Sequence, residues 1–176
     1  IIAKKESYNR NNYTSARIIS NTKKDFTYGR VDIKAKMPGK IGTWPALWLL
    51  GSNFRTVTWP ACGEMDILEA AQSNNFRVQS TVHHPDNYGS GDSHITQEYT
   101  DITEKFHVYS LVWTKHALTF YVDDKPHHIV GNSCALPFNW DHFIILNIAM
   151  GGHMGGEIDQ NFISDIMEID YVRIYQ

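Results

Sequence analysis

The sequence predicts an all-β fold, a sandwich built from two antiparallel sheets. Short runs of strand length recur along the 176 residues, either alternating apolar with polar residues or apolar throughout. Turn-forming Gly, Asn, Ser and Pro separate these runs, and helical periodicity is nearly absent. About ten short strands joined by turns are typical of a single β-sandwich, so we expect one domain spanning 1–176.

The predicted strands follow one another along the whole chain. In the run of residues 26–37, Val31, Ile33 and Ala35 alternate with polar residues, which predicts one buried and one polar face. Asp123-Asp124-Lys125 predicts a hairpin turn, and residues 85–93 and 151–156 are predicted loops. The predicted strands are residues 1–5, 16–20, 26–37, 44–50, 64–70, 78–84, 107–113, 118–122, 127–130, 143–150 and 166–175.

Composition excludes several classes of partner. Hydrophobic residues make up 42% of the chain and the net charge is −3, as in an ordinary globular protein. Lys and Arg are outnumbered by Asp and Glu and form no basic stripe, so no nucleic-acid partner is predicted. No apolar run approaches the roughly 20 residues of a membrane span, so no membrane partner is predicted. Cys62 and Cys134 are too few for a disulfide framework; they either pair or stay as thiols.

Three carboxylates fall within six residues in the segment Glu64-Met65-Asp66-Ile67-Leu68-Glu69. Because a strand alternates its faces with period two, Glu64 and Asp66 point the same way and Glu69 falls on the opposite face. One extra residue in the strand, a bulge at Ile67-Leu68, would return Glu69 to the face of the other two. The segment therefore predicts a bulged strand with three acids along one surface.

This row of acids favours a carboxylate-based hydrolase. Glycoside hydrolysis commonly uses two carboxyl groups that flank the scissile bond, and a third nearby charge raises their proton affinity. The competing interpretation is a solvated acidic face on an edge strand. Met65, Ile67 and Leu68 instead indicate a well-buried strand, where three carboxylates would be costly without a function.

The acidic segment resembles the bulged signature E-x-D-x-x-E of glycoside hydrolase family 16. Its spacing favours the laminarinase, agarase and carrageenase side of that family over the lichenases and xyloglucan enzymes, which resemble E-x-D-x-E. Further segments resemble the laminarinase branch, and together they cover nearly the whole chain. These segments are residues 28–30, 42–48, 59–63, 81–83, 106–109, 120–123, 145–152 and 170–175.

The resemblance implies a jelly-roll sandwich of two curved antiparallel sheets, the concanavalin A-like lectin/glucanase fold, with a concave substrate cleft. It implies that Glu64 is the nucleophile, Glu69 the general acid/base and Asp66 their electrostatic support. The implied reaction is endo-hydrolysis of a β-1,3-glucan with retention of configuration and without a catalytic cofactor. We expect a secreted monomer, and we expect this chain to lack the N-terminal segment that precedes Ile1 in the family.

Two other functions remain open at this point. A β-glucan-recognition module on the same fold would bind the polymer without cleaving it, although such binders typically lose the acids. A galactan hydrolase similar to an agarase would keep the acids and change the substrate. The three retained carboxylates favour an enzyme, and the resemblance of the surrounding segments favours β-1,3-glucan.

Several further residues are predicted to contact the sugar. For each of them the alternative is a structural role, such as packing in the core or a surface ion pair. Trp59 precedes the acidic strand, and its indole face suits a pyranose ring. His83 shares a polar strand face with Gln79 and Thr81, and Asn147 interrupts an apolar run and needs a hydrogen-bond partner. The predicted substrate-binding residues are Trp59, His83, Trp113, Trp44, Trp48, Arg30 and Asn147.

Asp170 is the predicted metal ligand. It falls on the strand face of Val172 and Ile174, and a buried carboxylate needs a partner or a metal. The resemblance implies a structural calcium bound there by Asp170 and backbone carbonyls, with other ligands from the missing front. The pairs His83-His84 and His127-His128 lack the spacing and partners of a zinc site, and none is predicted there.

Overall fold

The computed structural model describes residues 1–176, except for the side chain of Ser90. Strands dominate it, with one 3-10 turn at Gln72–Asn74 and one short helix, α1 (Gly152–Gly155). The strands are β1 (Ile2–Tyr8), β2 (Asn11–Thr14), β3 (Arg17–Ile19), β4 (Asp25–Phe26), β5 (Gly29–Lys36), β6 (Thr43–Gly51), β7 (Glu64–Glu69), β8 (Gln79–His84), β9 (Asn87–Ile95), β10 (His107–Trp113), β11 (Ala117–Val122), β12 (Lys125–Gly131), β13 (His142–Met150), β14 (Ser164–Ile166) and β15 (Glu168–Tyr175).

Two large antiparallel sheets form the sandwich, as the sequence predicts. One has the strand order β12-β11-β10-β5-β15, and the other has the order β3-β13-β6-β7-β8-β9, with β4 also paired to β13. A third, small sheet of order β14-β1-β2 was not predicted. β7, which carries the three acids, therefore lies inside the larger sheet, between β6 and β8.

The core lies between the two large sheets. Val31, Ile33 and Ala35 of β5 are buried, which confirms the predicted apolar face of that strand. Met65 and Ile67 of β7 join the same apolar cluster from the opposite sheet. Because β7 contributes its apolar side chains to this core, its acids face away from it. The burial of alternate residues thus positions the acids on the outer face of the larger sheet.

Several predicted elements differ from the structure. Residues 85–93 were predicted as a loop, but residues 87–93 belong to β9, which pairs with β8. Gly89 and Gly91, both at positive φ, gave the segment the composition of a loop. The predicted strand 26–37 is split at Tyr28, whose φ of 62° breaks the extended backbone and separates β4 from β5. The strand β2 has too few apolar residues to be recognised.

The predicted hairpin at Asp123-Asp124 is confirmed, because β11 and β12 pair antiparallel on either side of it. Both turn residues have positive φ, at 49° and 61°, as a tight hairpin turn requires. Cys62 is buried and Cys134 is exposed, and both are free thiols. Among the described residues, no helix is long and apolar enough to span a membrane.

Candidate active site

A bulge aligns the three acids, as the sequence predicts. Glu64, Asp66 and Glu69 pair across the sheet with Leu50, Trp48 and Ala46 of β6, which are spaced two residues apart. Partners with that spacing lie on one face of a strand, so all three acids share a face. The register shift falls between Asp66 and Glu69, and both residues in between are buried. The extra residue is therefore accommodated on the core side of the strand.

The acids lie where two cavities of one cleft meet. A cavity of about 470 Å³ extends to one side, along β6 and β13, and includes Trp48 and Asn147. A second cavity of about 620 Å³ extends to the other side, towards β8 and β9, and includes Trp59 and His83. Trp44, Glu64 and Glu69 line both cavities. The cleft therefore continues past the acids in both directions, so a chain can lie across them without ending there.

The carboxyl groups hold protons more tightly than free carboxyls do. Burial, reinforced by the charge of Asp66, raises the pKa of Glu64 to about 8. Burial and the charge of Glu69 raise the pKa of Asp66 well above its usual range, and burial also raises the pKa of Glu69. Like charges so close together cannot all ionise near neutral pH. The trio therefore shares protons, which allows one member to act as an acid while another stays ionised.

Tryptophan side chains act on both glutamates. Trp44 Nε1 donates a hydrogen bond to Glu69 Oε1 over 3.0 Å, and this bond lowers the pKa of Glu69, against the larger effect of burial. Trp59 lies close enough to Glu64 to lower the pKa of that carboxyl group as well. Trp59 is 46% exposed, so the predicted stacking face is open to the cleft. Both tryptophans therefore lie in the cleft, as the sequence predicts.

His83 completes the group of titratable side chains around Asp66. Its Nε2 lies 3.2 Å from Asp66 Oδ2 and 3.8 Å from Glu64 Oε1. The imidazole also packs against Trp59, with ring centres 5.8 Å apart. Ligand atoms of His83, Glu64 and Asp66 lie within 4.8 Å of one another, so this trio could hold a metal ion. His83 therefore contacts both Asp66 and Trp59.

Trp48 and Asn147 form the opposite end of the cleft. Trp48 Nε1 donates to Asn147 Oδ1 over 2.8 Å, which provides the partner that a polar residue in an apolar strand needs. The guanidinium of Arg17 lies 4.6 Å above the Trp48 ring. Ala46, between Asn147 and Glu69 in the sheet, contributes only a methyl group. This part of the cleft therefore has an oriented indole with open space beside it.

Trp113 does not contact substrate, which corrects the sequence prediction. It lies on β10 in the other large sheet, only 1% exposed, and packs edge-on against Phe26 and Tyr28. Its Nε1 donates to the carbonyl oxygen of Phe138 over 2.9 Å. A side chain enclosed in the core between the sheets cannot stack on a sugar in the cleft. The alternative of a core tryptophan is the correct one.

Arg30 also lies outside the cleft, contrary to the prediction. It belongs to β5 in the other sheet, where its guanidinium pairs with Asp32 and with Asp124. Across the sheet, Asp32 pairs with Ser110 and Arg30 pairs with Val112 of β10. This face of the sheet is on the side away from the acids. The sequence pattern could not distinguish this surface ion-pair network from a substrate contact, because both use the same polar strand face.

Asp170 does not occupy a calcium site. It is the extra residue of a bulge in β15, and its carboxylate is 49% exposed and pairs with Lys34 Nζ over 2.8 Å. The predicted burial fails because the bulge interrupts the alternation that placed Asp170 with Val172. An ammonium group is a competitor of calcium rather than a co-ligand. The residues present here do not fit the calcium that the resemblance implied.

Some cleft residues were not predicted. Ser93 and Ile95 of β9 line the cavity beside His83, as do His153 and Met154 of the short helix. The first pair was missed because residues 85–93 were interpreted as a loop and no strand was predicted at Ile95. Alternation of Ser93 and Ile95 with His94 was the available signal. The helix carried no signal, because four residues rich in glycine have the composition of a turn.

A β-sandwich whose cleft holds a row of proton-sharing carboxylates has the arrangement of a glycoside hydrolase. The comparisons agree: the sequence model of Glycosyl hydrolases family 16 matches residues 3–173. The chain therefore belongs to this family, and its fold is the family's jelly-roll sandwich. The resemblance stated from the sequence is confirmed.

Individual relatives are similar over nearly the whole chain. The Glucan endo-1,3-beta-glucosidase A1 of Niallia circulans is 37% identical over 93% of this chain, which spans 26% of that protein. The Beta-glucanase of Rhodothermus marinus is 33% identical over the full chain, which spans 67% of it. A crystal structure of LamA from Z. galactanivorans in complex with laminaritriose and laminaritetraose has a TM-score of 0.90 and 40% identity, with 100% of this chain and 77% of that chain covered.

Proposed function

We propose that the protein is a retaining endo-glycosidase that hydrolyses β-1,3-glucan. The observation that carries the proposal is the row Glu64, Asp66 and Glu69 in the middle of a cleft that continues on both sides. A pure binding module would not need three carboxyls at that position, one buried and two partly buried, because their desolvation is costly. The named activities of the relatives in Niallia and Rhodothermus, and the laminari-oligosaccharides bound to the Zobellia protein, support β-glucan as the substrate class.

The carboxyls divide the chemistry between them. Glu64, when ionised, attacks the anomeric carbon, while protonated Glu69 gives its proton to the leaving oxygen. This forms a covalent glycosyl-enzyme and releases the first product. Glu69, now ionised, takes a proton from water, which attacks the anomeric carbon and frees Glu64 with retained configuration. No cofactor enters these steps.

Asp66 and His83 set the charge on the nucleophile. The charge of Asp66 raises the pKa of Glu64, so Glu64 ionises more readily when Asp66 holds a proton. His83, 3.2 Å from Asp66 and 3.8 Å from Glu64, lowers the pKa of Glu64 against the effect of burial. These neighbours support the nucleophile without touching the sugar carbon.

The aromatic side chains orient the polymer. Trp59 on one side of the acids, and Trp48 with Asn147 on the other, present apolar faces and polar edges suited to pyranose rings. The proposal also includes a monomeric, secreted protein, because a glucan polymer is encountered outside cells. Light scattering tests the monomer, and assay of the culture medium of the source organism tests secretion.

The decisive experiment measures reducing-sugar release and product length from laminarin. We expect mixed oligosaccharides early in the reaction from the wild type, the β-anomer as first product by NMR, and loss of activity in Glu64→Gln. Glu168→Gln is the matched control, because its exposed carboxylate pairs with Lys36 outside the cleft. Equal release by wild type and Glu64→Gln would overturn the assignment, and cleavage of agar without cleavage of laminarin would replace glucan by galactan.

A further inference from the structure

Two carboxylates and one imidazole converge at the centre of the cleft. Glu64 and Asp66 are two residues apart on β7 and share a face, and His83 lies across from Glu64 on β8. Ligand atoms of these three side chains all lie within 4.8 Å of one another. The third acid, Glu69, lies beyond the bulge, where it pairs with Gln79. Strand pairing therefore brings together a set of three side chains that leaves Glu69 out.

The spacing within this trio is that of ligands on a zinc ion. His83 Nε2 lies 3.2 Å from Asp66 Oδ2 and 3.8 Å from Glu64 Oε1. Two ligands of a tetrahedral zinc ion, with bonds of about 2.0–2.1 Å, are themselves about 3.3–3.4 Å apart. The first contact is close to that spacing, and a small rotation of the Glu64 side chain brings the second to it.

Asp66 contributes an oxygen that has no other partner. The residue is only 2% exposed, and its Oδ2 makes no hydrogen bond with any described residue, although His83 Nε2 lies 3.2 Å away. An unpaired buried acceptor is costly and ordinarily has a partner. A cation held between the carboxylates and the imidazole is a partner of the required charge.

The donor set determines which cations fit. One imidazole nitrogen with two carboxylate oxygens suits Zn²⁺, whereas Ca²⁺ and Mg²⁺ prefer surroundings of oxygen alone. Glu64 and Asp66 line a cavity of the cleft, so water has access to the fourth position of a zinc ion. Metal-binding histidines ordinarily donate their second ring N–H to a partner, but His83 Nδ1 has none among the described residues. Lack of such a partner weakens binding by about 10- to 100-fold, so we expect the ion to bind reversibly.

We propose that Glu64, Asp66 and His83 form a reversible inhibitory site for Zn²⁺. The inference rests on the proposed function, in which Glu64 is the nucleophile. A zinc ion on the Glu64 carboxylate takes up the electron pair that attacks the anomeric carbon. The ion also occupies the space beside Glu64 that the reacting sugar needs. Zinc and substrate therefore exclude each other, and zinc acts as a competitive inhibitor.

Calorimetric titration of the untagged protein with ZnCl₂ tests the site without requiring activity. We expect His83→Gln, Asp66→Asn and Glu64→Gln each to weaken the binding of one Zn²⁺ by about tenfold or more. His153→Gln is the matched control, because it removes another histidine that lines the cleft, and it should bind Zn²⁺ like the wild type. Thermal unfolding without metal reports the folding of each variant. Equal Zn²⁺ affinity in the wild type and the folded variants of the trio would overturn the proposal.

Laminarin hydrolysis by the wild type tests the inhibition and needs no variant. We expect the apparent KM to rise about tenfold when free Zn²⁺ is about ten times its Kd, with kcat unchanged and with full recovery after chelation. CaCl₂ and MgCl₂ at equal ionic strength should have no effect. An unchanged KM at saturating Zn²⁺ would overturn the inhibitory role. Absence of hydrolysis without any metal would instead overturn the proposed function, and the calorimetric result on the site would stand.

Discussion

The indole N–H of Trp44 donates to Oε1 of Glu69 across 3.0 Å, joining a cleft wall to the residue proposed as the acid/base. The two side chains come from neighbouring strands, β6 and β7, and both line the two cavities. The bond favours the ionised carboxylate, since an ionised oxygen accepts more strongly than a protonated one. Trp44 therefore opposes the effect of burial on the pKa of Glu69.

Replacing Trp44 by Phe should shift the pH dependence of catalysis. Loss of the donor raises the pKa of Glu69, so the acid stays protonated to higher pH. The alkaline limb of kcat/KM should move upward by about one pH unit, since one hydrogen bond is worth about that much. Hydrolysis of laminarin across a pH series measures the shift.

Trp48→Phe is the matched control for that shift. Its indole donates to Asn147 rather than to an acid. We expect a higher KM for laminarin, because the oriented ring loses its anchor, and an unchanged alkaline limb. If both variants moved the limb equally, the shift would not come from the bond to Glu69.

Glu69→Gln should show a loss that depends on the leaving group. Glutamine cannot donate a proton to the departing oxygen, so cleavage of laminarin should fall by about 10²- to 10⁴-fold. An aryl glycoside with an acidic phenol needs little protonation, and its first step should be much less affected. Comparing the two substrates in wild type and variant gives the measurement. An equal loss on both would assign Glu69 a different role.

Glu64 should cost the protein stability at alkaline pH. Its folded-state pKa of about 8 lies above the ordinary value of 4.5. A group with a raised pKa contributes stability that is present below pH 4.5 and lost as the pH rises through 8. The neutral isostere Glu64→Gln escapes this loss. Near pH 9 the variant should be more stable than wild type by on the order of a few kcal/mol.

Urea unfolding at pH 4.5 and pH 9 tests this prediction. The difference in midpoint between the two proteins should be small at the lower pH and large at the higher one, with equal m values. A difference that did not change with pH would mean that Glu64 ionises normally in the folded protein. Glu168→Gln, with its exposed carboxylate, provides the control and should show no such trend.

Trp113→Phe should affect stability and leave substrate binding alone. The substitution opens space in the core and removes the bond to the Phe138 carbonyl, at a cost of about 1–3 kcal/mol. KM for laminarin should stay at the wild-type value. A rise in KM with an unchanged Tm would indicate that Trp113 contacts the substrate, which would contradict its burial.

The sequence predicted the sandwich and the bulged acid strand because both depend on local alternation. The apolar residues of β5 and the spacing from Glu64 to Glu69 are visible in the chain itself. Trp59, Trp44, Trp48, His83 and Asn147 were also placed on the correct side of the sheet.

Trp113 and Asp170 show where such prediction stops. Trp113 lies on a strand of the other sheet, and strand alternation does not say which sheet a strand joins. Asp170 is the extra residue of a bulge that the sequence pattern does not reveal, so the prediction that it is buried was wrong. His127 is likewise the extra residue of a bulge, in β12, that the sequence pattern does not reveal.

The bulge in β7 also determines how this strand tolerates changes in length. Ile67 and Leu68 both face the core, and removing either one leaves strict alternation of acid and apolar residues. The three carboxylates would keep their shared face in a strand one residue shorter. An added residue between Glu64 and Asp66 would instead turn one acid into the core. In this strand a deletion can therefore conserve the catalytic pattern, whereas an insertion before the bulge destroys it.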